Sequence, residues 1–148
     1  MSGSGRTFLL LAGAGSIAAS VAHLACIIGG PDWFRAMGAG ERMARMVERG
    51  AVMPLILTVI IAAILATWAA YAFSAAGLIG RLPLMRVALI AIAAVLLIRG
   101  VVGFTPVFLP IPSIAFKFWS AAICLVMGAC FALGTWQAWA NLSNEGSH

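Results

Sequence analysis

Four apolar segments, each long enough to cross a lipid bilayer, make up most of this chain of 148 residues. A membrane-spanning helix needs about 20 predominantly apolar residues. The chain is 64% hydrophobic and only 9% charged, whereas a typical soluble domain is about 25% charged. We therefore predict a single integral-membrane domain. Its spans are expected over residues 7–28, 51–78, 84–103 and 113–140, and its polar tail, 141–148, is expected to be disordered.

Glycines and prolines divide the spans. Gly29, Gly30 and Pro31 are expected to end the first span, because glycine followed by proline stops most helices. Pro54 falls in the first turn of the second span, where a missing N–H costs little, and Pro83 opens the third. The even spacing and short connections predict an all-α, antiparallel four-helix transmembrane bundle. In such a bundle the first and third connections share one membrane face.

The first connection has a helical pattern of its own. It reads GAGERMARMVERG from Gly38 to Gly50, with Met43, Met46 and Val47 at helical spacing between charged residues. This pattern predicts a short amphipathic interfacial helix over residues 38–49, lying in the headgroup layer. Trp33 suits the same layer. A solvated turn of helix is the alternative.

Small side chains recur along three of the spans. Lipid gives helices no hydrophobic drive to associate, so close packing of small residues must hold a membrane bundle together. We therefore predict that these small residues face one another in the core. They are Gly15, Ala19, Ala22 and Cys26 in the first span, Ala62, Ala66, Ala70 and Ser74 in the second, and Ser120, Cys124, Gly128 and Ala132 in the fourth.

Charged residues crowd toward one membrane face. Charge near lipid is costly, so such clustering indicates a site. The opposite face carries only Arg6, Arg81, Arg86 and Glu145. The crowded face carries Asp32, Arg35, Glu41, Arg42, Arg45, Glu48, Arg49, Arg99 and Lys117, with His23 nearby.

Three nitrogen-bearing side chains from separate spans are expected to reach one level below this face. They are His23, Arg99 and Lys117, and His23 lies roughly 8 Å deep at 1.5 Å per residue. We expect Glu41 or Glu48 to pair with Arg99, since a buried guanidinium needs an acidic partner or an anionic ligand. The alternative is that Arg99 and Lys117 extend to the headgroups without a function. The predicted ligand-binding set is His23, Arg99, Lys117, Glu41, Arg42, Asp32 and Trp33.

Several other functions fit the sequence poorly. A net charge of +5 with one lysine does not resemble the basic surface of a nucleic-acid-binding protein. Zinc needs three or four close ligands, and only His23 and Cys26 lie together, so no metal site is predicted. The three cysteines contain no C-x-x-C redox pair. No cofactor is assigned.

The leading hypothesis is a non-enzymatic protein that binds an amphipathic ligand: a lipid, an isoprenoid or a quinone. The polar head would meet the charged cluster, and the tail would lie between helices. An alternative is an integral-membrane enzyme acting on a lipid or isoprenoid. His23 would be its acid or base, because histidine titrates near neutrality, with Glu41 or Glu48 as partner. A small oligomeric transporter ranks third, because few polar groups cross the bilayer.

The expected location is a bacterial inner membrane. The expected partners are membrane lipids, with a homo-oligomer and a larger membrane complex both left open. Counting Lys and Arg, the crowded face has six against three, which would place it in the cytoplasm. If Arg99, Lys117 and part of the first connection belong to a site, the count approaches a tie, so the orientation stays undecided.

Three runs support a resemblance: GAGERMARMVERG (38–50), SAAGLIGRLPLMR (74–86) and LLIRG (96–100). They resemble runs in small four-span proteins of bacterial inner membranes that carry no assigned activity. In size and span number the chain is also similar to the DoxX-like group of four-span proteins. This resemblance implies the four-span architecture and transfers no functional residue.

Overall fold

The structure, a computed structural model, describes residues 3–105 and 114–142. The described residues form five helices: α1 (Gly3–Ala36), α2 (Glu41–Glu48), α3 (Met53–Ala75), α4 (Met85–Gly103) and α5 (Ile114–Leu142). All except α2 are long and apolar enough to cross a membrane. The predicted all-α four-helix bundle with a short helix after the first span is confirmed, and the protein is a multi-pass membrane protein. The predicted tail overlaps α5 at its first two residues, and the rest of it lies outside the described residues.

A break in helical backbone occurs within the predicted stop at Gly29–Pro31, but a second helical stretch follows it. Gly30 has non-helical backbone angles (φ 67°, ψ −158°) and kinks α1, but the helix resumes and continues to Ala36. Pro31 can open the second stretch because a proline fits the first turn of a helix, where its missing N–H would have no partner. After the kink, α1 continues for more than one further turn, and this stretch carries Trp33, Phe34 and Arg35.

The spans form two hairpins. α1 packs most extensively on α3, and α4 on α5, while α1 and α5 join the two halves. α3 and α4 touch much less. Hydrogen bonds join α3 to the connection that leads into α4. Tyr71 Oη donates to the Pro83 carbonyl at 3.2 Å and Ser74 Oγ to the Gly80 carbonyl at 2.8 Å.

Close approach of the helices depends on glycines. A Cβ added to Gly128 of α5 would lie 2.9 Å from Leu97 Cγ of α4, and one added to Gly134 would lie 2.7 Å from Leu9 Cγ of α1. Between α1 and α3, Ser20 Oγ donates to the Ala62 carbonyl at 2.7 Å. Small residues and a polar bond thus replace the hydrophobic drive that lipid cannot supply.

The predicted small-residue core is only partly right. Between 17% and 33% of the most apolar window of each span is buried inside the protein, so most span surface faces lipid. Because these helices are apolar all round, hydrophobic periodicity does not reveal which face is buried. In α1 the buried face is centred on Leu9, Ala12, Ser16 and Ser20. Of the predicted residues, Cys26, Ala62, Ser74 and Gly128 are buried, Ala66 is exposed, and Gly15, Ala19, Ala22, Ala70, Ser120, Cys124 and Ala132 are half-buried.

Candidate functional site

The first connection holds a network of ion pairs centred on Arg35. From this guanidinium, Nε donates to Glu41 Oε2 at 2.8 Å, Nη1 to Asp32 Oδ1 at 3.0 Å, and Nη2 to Glu48 Oε1. Arg45 Nε donates to Glu41 Oε1 at 3.0 Å. We call these five residues the Arg35 network. It forms because the resumed turn of α1 places Arg35 beside α2, and it engages all the acidic side chains in the described part of the chain.

The pKa of the Glu41 carboxyl is strongly lowered in the folded protein. Hydrogen bonds from Arg35 first, and then from Arg45, lower the pKa of the Glu41 carboxyl from 4.5 to about 2. A carboxyl whose pKa is lower in the folded state stabilises the fold at any pH above its unfolded value. That contribution is fully present above pH 4.5 and is lost as the pH falls toward 2.

We therefore expect Glu41→Gln to lower the thermal midpoint at neutral pH, with the difference from wild type narrowing below pH 4.5. Protonating the wild-type carboxyl removes the same interaction that the amide removes, so the two midpoints should converge near pH 2. Thermal unfolding in detergent, measured for both chains across pH 2–7, tests this. A difference that stays constant through the acid range would contradict it.

The expected pairing of Arg99 with Glu41 or Glu48 is wrong. Both glutamates are bound within the Arg35 network, and Arg99 Nη2 instead donates to Ser120 Oγ at 3.3 Å. No carboxylate in the described ranges 3–105 and 114–142 forms an ion pair with Arg99. Its guanidinium, near the end of α4, therefore keeps a positive charge that no described acid compensates.

An inner cavity lies beneath the first connection, with a volume of about 370 Å³. Side chains from α1, α3, α4 and α5 reach it, and residues 37–39 and Met43 contribute from the first connection. The buried cluster of Cys26, Phe34 and Ala44 fixes α2 against the end of α1 beside it. The polar groups among its lining are those of His23, Cys26, Thr58, Arg99 and Ser120.

An outer cavity of about 520 Å³ lies between α4 and α5. It shares Gly38, Arg99, Phe116 and Ser120 with the inner cavity, so the two cavities adjoin at these four residues. Both volumes lie within the range of about 300–1,000 Å³ usual for small-molecule sites. The remaining lining of the outer cavity is mainly apolar: Val95, Ile98, Val102, Gly103, Lys117 and Ala121.

His23 is half-buried and lines the inner cavity. Its Nδ1 lies 2.7 Å from the Ala19 carbonyl oxygen. A carbonyl only accepts hydrogen bonds, so Nδ1 carries the proton, and in the neutral ring Nε2 is an acceptor. Glu41 and Glu48 are held by Arg35 instead. The His–Glu acid–base pair of the enzyme hypothesis is therefore not formed within the described residues.

Lys117 lies in the first turns of α5 and lines the outer cavity. Its Nζ donates to the Thr105 carbonyl at 2.7 Å, just beyond the end of α4. A cation at this position also interacts favourably with the negative end of the α4 dipole. Lys117 thus joins the two helices that carry Arg99 and Ser120.

The predicted ligand-binding residues do not form one site. His23 and Arg99 line the inner cavity, and Arg99 and Lys117 line the outer one. Asp32 and Glu41 belong instead to the Arg35 network. Arg42 lines a surface depression on α2, and Trp33 is about half exposed, with its ring against Gly29.

Sequence reasoning missed Arg35 and Ser120 as site residues. The spacing of Asp32 and Arg35, three residues apart on a helix, was a readable signal for an ion pair. Ser120 gave no signal beyond its small size. Among the described residues, no group of three or more His, Cys, Asp or Glu side chains could hold a metal ion.

Comparison with known proteins gives no relative from which a role could be transferred. No protein-family model, no curated protein and no solved structure matches the chain.

Proposed function

We propose that this protein binds an amphipathic molecule with an anionic or polar head, a lipid, isoprenoid or quinone, in the inner membrane of a bacterium. The head lies at the junction of the two cavities, and the tail extends along α4. One observation carries the proposal: the Arg99 guanidinium lies beside both cavities and forms no ion pair with a described carboxylate.

The charge distribution supports a ligand rather than an internal partner. An arginine near the hydrocarbon region is costly unless its charge is compensated or reaches the headgroups. The Arg35 network engages every described acid, so the negative charge beside the exposed Arg99 comes from a bound ligand or from the surrounding headgroups. The hydrogen bond from its guanidinium goes to the neutral Ser120 hydroxyl, at 3.3 Å.

The surroundings of Arg99 also suit a tail. Val95, Ile98 and Val102 of α4 line the outer cavity and are exposed on the protein surface. In a bilayer such side chains face acyl chains. A ligand whose head occupies the cavity junction can therefore keep its tail in the lipid phase without opening the bundle.

The proposal includes an accessory role in a larger membrane complex or a homo-oligomer. The described spans leave most of their apolar surface unburied, and a neighbouring subunit could cover part of it as readily as lipid does. Ligand binding at Arg99 does not depend on which assembly forms.

Native mass spectrometry after extraction in mild detergent tests the proposed function. We expect the wild-type chain to retain an amphipathic molecule. Arg99→Gln should retain less of it by a factor of about ten or more, because a hydrogen bond to a charged group contributes about 1.5–3 kcal/mol. Arg6→Gln is the matched control, because it removes an exposed arginine near the start of α1 that lines neither cavity. A wild-type chain without any retained amphiphile, together with unaltered stability of Arg99→Gln, would contradict the proposal.

A further inference from the structure

The residues that line the two cavities limit which head groups the proposed site can bind. Arg99 lines both cavities, Lys117 the outer one and His23 the inner one, and no described residue adds a carboxylate to either lining. We infer that the site takes a phosphate ester whose head carries no cationic group, in preference to a zwitterionic lipid or a quinone. This inference rests on the proposed function and specifies its ligand.

A phosphate satisfies the donors at the junction. A guanidinium matches the geometry of phosphate oxygens with parallel N–H donors, and such charge-assisted bonds are stronger than neutral ones. Arg99 lies beside the Ser120 hydroxyl, so both can donate to one phosphate. A quinone carbonyl is neutral and would leave the charge of Arg99 uncompensated.

A cationic head substituent meets no carboxylate among the described residues that line the two cavities. Choline and ethanolamine heads carry an ammonium group within a few ångströms of their phosphate, which would place it near Arg99 or Lys117. The carboxylates that could receive it are bound to Arg35. Like charges in a site of reduced dielectric repel each other strongly, so zwitterionic heads are excluded by charge rather than by size.

The inner cavity accommodates an uncharged hydroxylated substituent. With Nδ1 bound to the Ala19 carbonyl, His23 Nε2 can accept a hydrogen bond from a hydroxyl group of the head. A glycerophospholipid with a hydroxylated head and a polyprenyl phosphate share the required chemistry, a phosphate ester without an ammonium group. They differ in their tails and in the substituent that would enter the inner cavity.

The experiment uses the delipidated full chain in mild detergent, with four probes added separately: phosphatidylglycerol, phosphatidylcholine with the same acyl chains, a polyprenyl phosphate and a polyprenyl quinone. Binding is measured by native mass spectrometry and by the shift of the thermal midpoint. We expect at least one phosphate probe to bind about tenfold more tightly than phosphatidylcholine and the quinone. Whichever phosphate probe binds more tightly identifies the source of the ligand.

Two variants distinguish binding in the cavities from a general attraction of anionic lipids to arginine side chains. Arg49→Gln removes a charge on the same membrane face but outside both cavities, and should keep the tenfold preference. Arg99→Gln should reduce it to about twofold or less, and Lys117→Gln provides a second cavity variant if Arg99→Gln does not fold.

The outcomes distinguish this inference from the proposed function. The inference would be overturned, and an amphiphile-binding protein left, if phosphatidylcholine or the quinone bound as tightly as the better of phosphatidylglycerol and the polyprenyl phosphate. An equal loss of preference in Arg49→Gln would overturn it as well. Binding of none of the four probes would overturn both.

Discussion

Gly38→Ala is expected to destabilise the protein more than any other glycine-to-alanine change in the first connection. Gly38 has φ +73°, where an L-residue costs about 1–2 kcal/mol more than glycine. An added Cβ would overlap the ring of Phe116 at Cε1, and overpacking of this kind costs about a further 1–3 kcal/mol. Because Phe116 lines both cavities, ligand retention should fall as well.

The chain provides a close control for Gly38→Ala. Gly50 also has φ +73°, but an added Cβ there meets no described atom within 4 Å. Gly50→Ala should therefore show only the backbone cost. The free energy of unfolding in a titration with SDS from mild-detergent micelles measures both variants, and Phe116→Ala should recover part of the Gly38→Ala loss in a double-mutant cycle. Equal stability of the two glycine variants would mean that the Phe116 contact is unimportant.

Gly128→Ala is expected to weaken the packing of α4 on α5 by roughly 1–3 kcal/mol. An added Cβ would lie 3.0 Å from the backbone nitrogen of Leu97, which cannot move without moving α4 itself. Gly100→Ala should act in the same way from the other helix, because its Cβ would lie 3.0 Å from the backbone nitrogen of Leu125. The two glycines therefore set the distance between the helices.

The sign of the Gly128→Ala effect is diagnostic. In a helix, alanine is normally favoured over glycine by about 1 kcal/mol. Gly3, in the first turn of α1, meets no described atom within 4 Å of an added Cβ, so Gly3→Ala should be neutral or stabilising. The same SDS titration measures both. A stabilising Gly128→Ala would show that α4 and α5 are not in close contact there.

The four spans could be predicted from sequence because length and apolar composition are strong signals in a membrane chain. The second helical stretch after Gly30 could not. Gly29, Gly30 and Pro31 are compatible with a stop and with a kink, and the contacts made by the next few residues decide between them. Here the residues after Pro31 gain burial of Phe34 and three ion pairs for Arg35, which favours a resumed helix.

The location of the candidate site could be predicted, but its pairing could not. Because charged residues are scarce in the spans, the positions of His23, Arg99 and Lys117 predicted that the three lie at a similar depth below one membrane face. The kink at Gly30 decides which arginine forms ion pairs with Glu41 and Glu48, because only the helical stretch after the kink places Arg35 beside α2. The cavities depend on where helices separate, and no local pattern encodes that separation.

The pairing of the spans has a consequence for how the chain is made. Each of the two most extensive helix pairs, α1 with α3 and α4 with α5, joins spans that are consecutive along the chain. Each half can therefore complete its internal packing soon after its second span leaves the ribosome. The contacts of α5 with α1 and α3, like those with α4, have to wait for this helix, and until then the junction at Arg99 has no Ser120 and no closed outer wall. Capture of the proposed ligand is therefore expected to follow the insertion of α5.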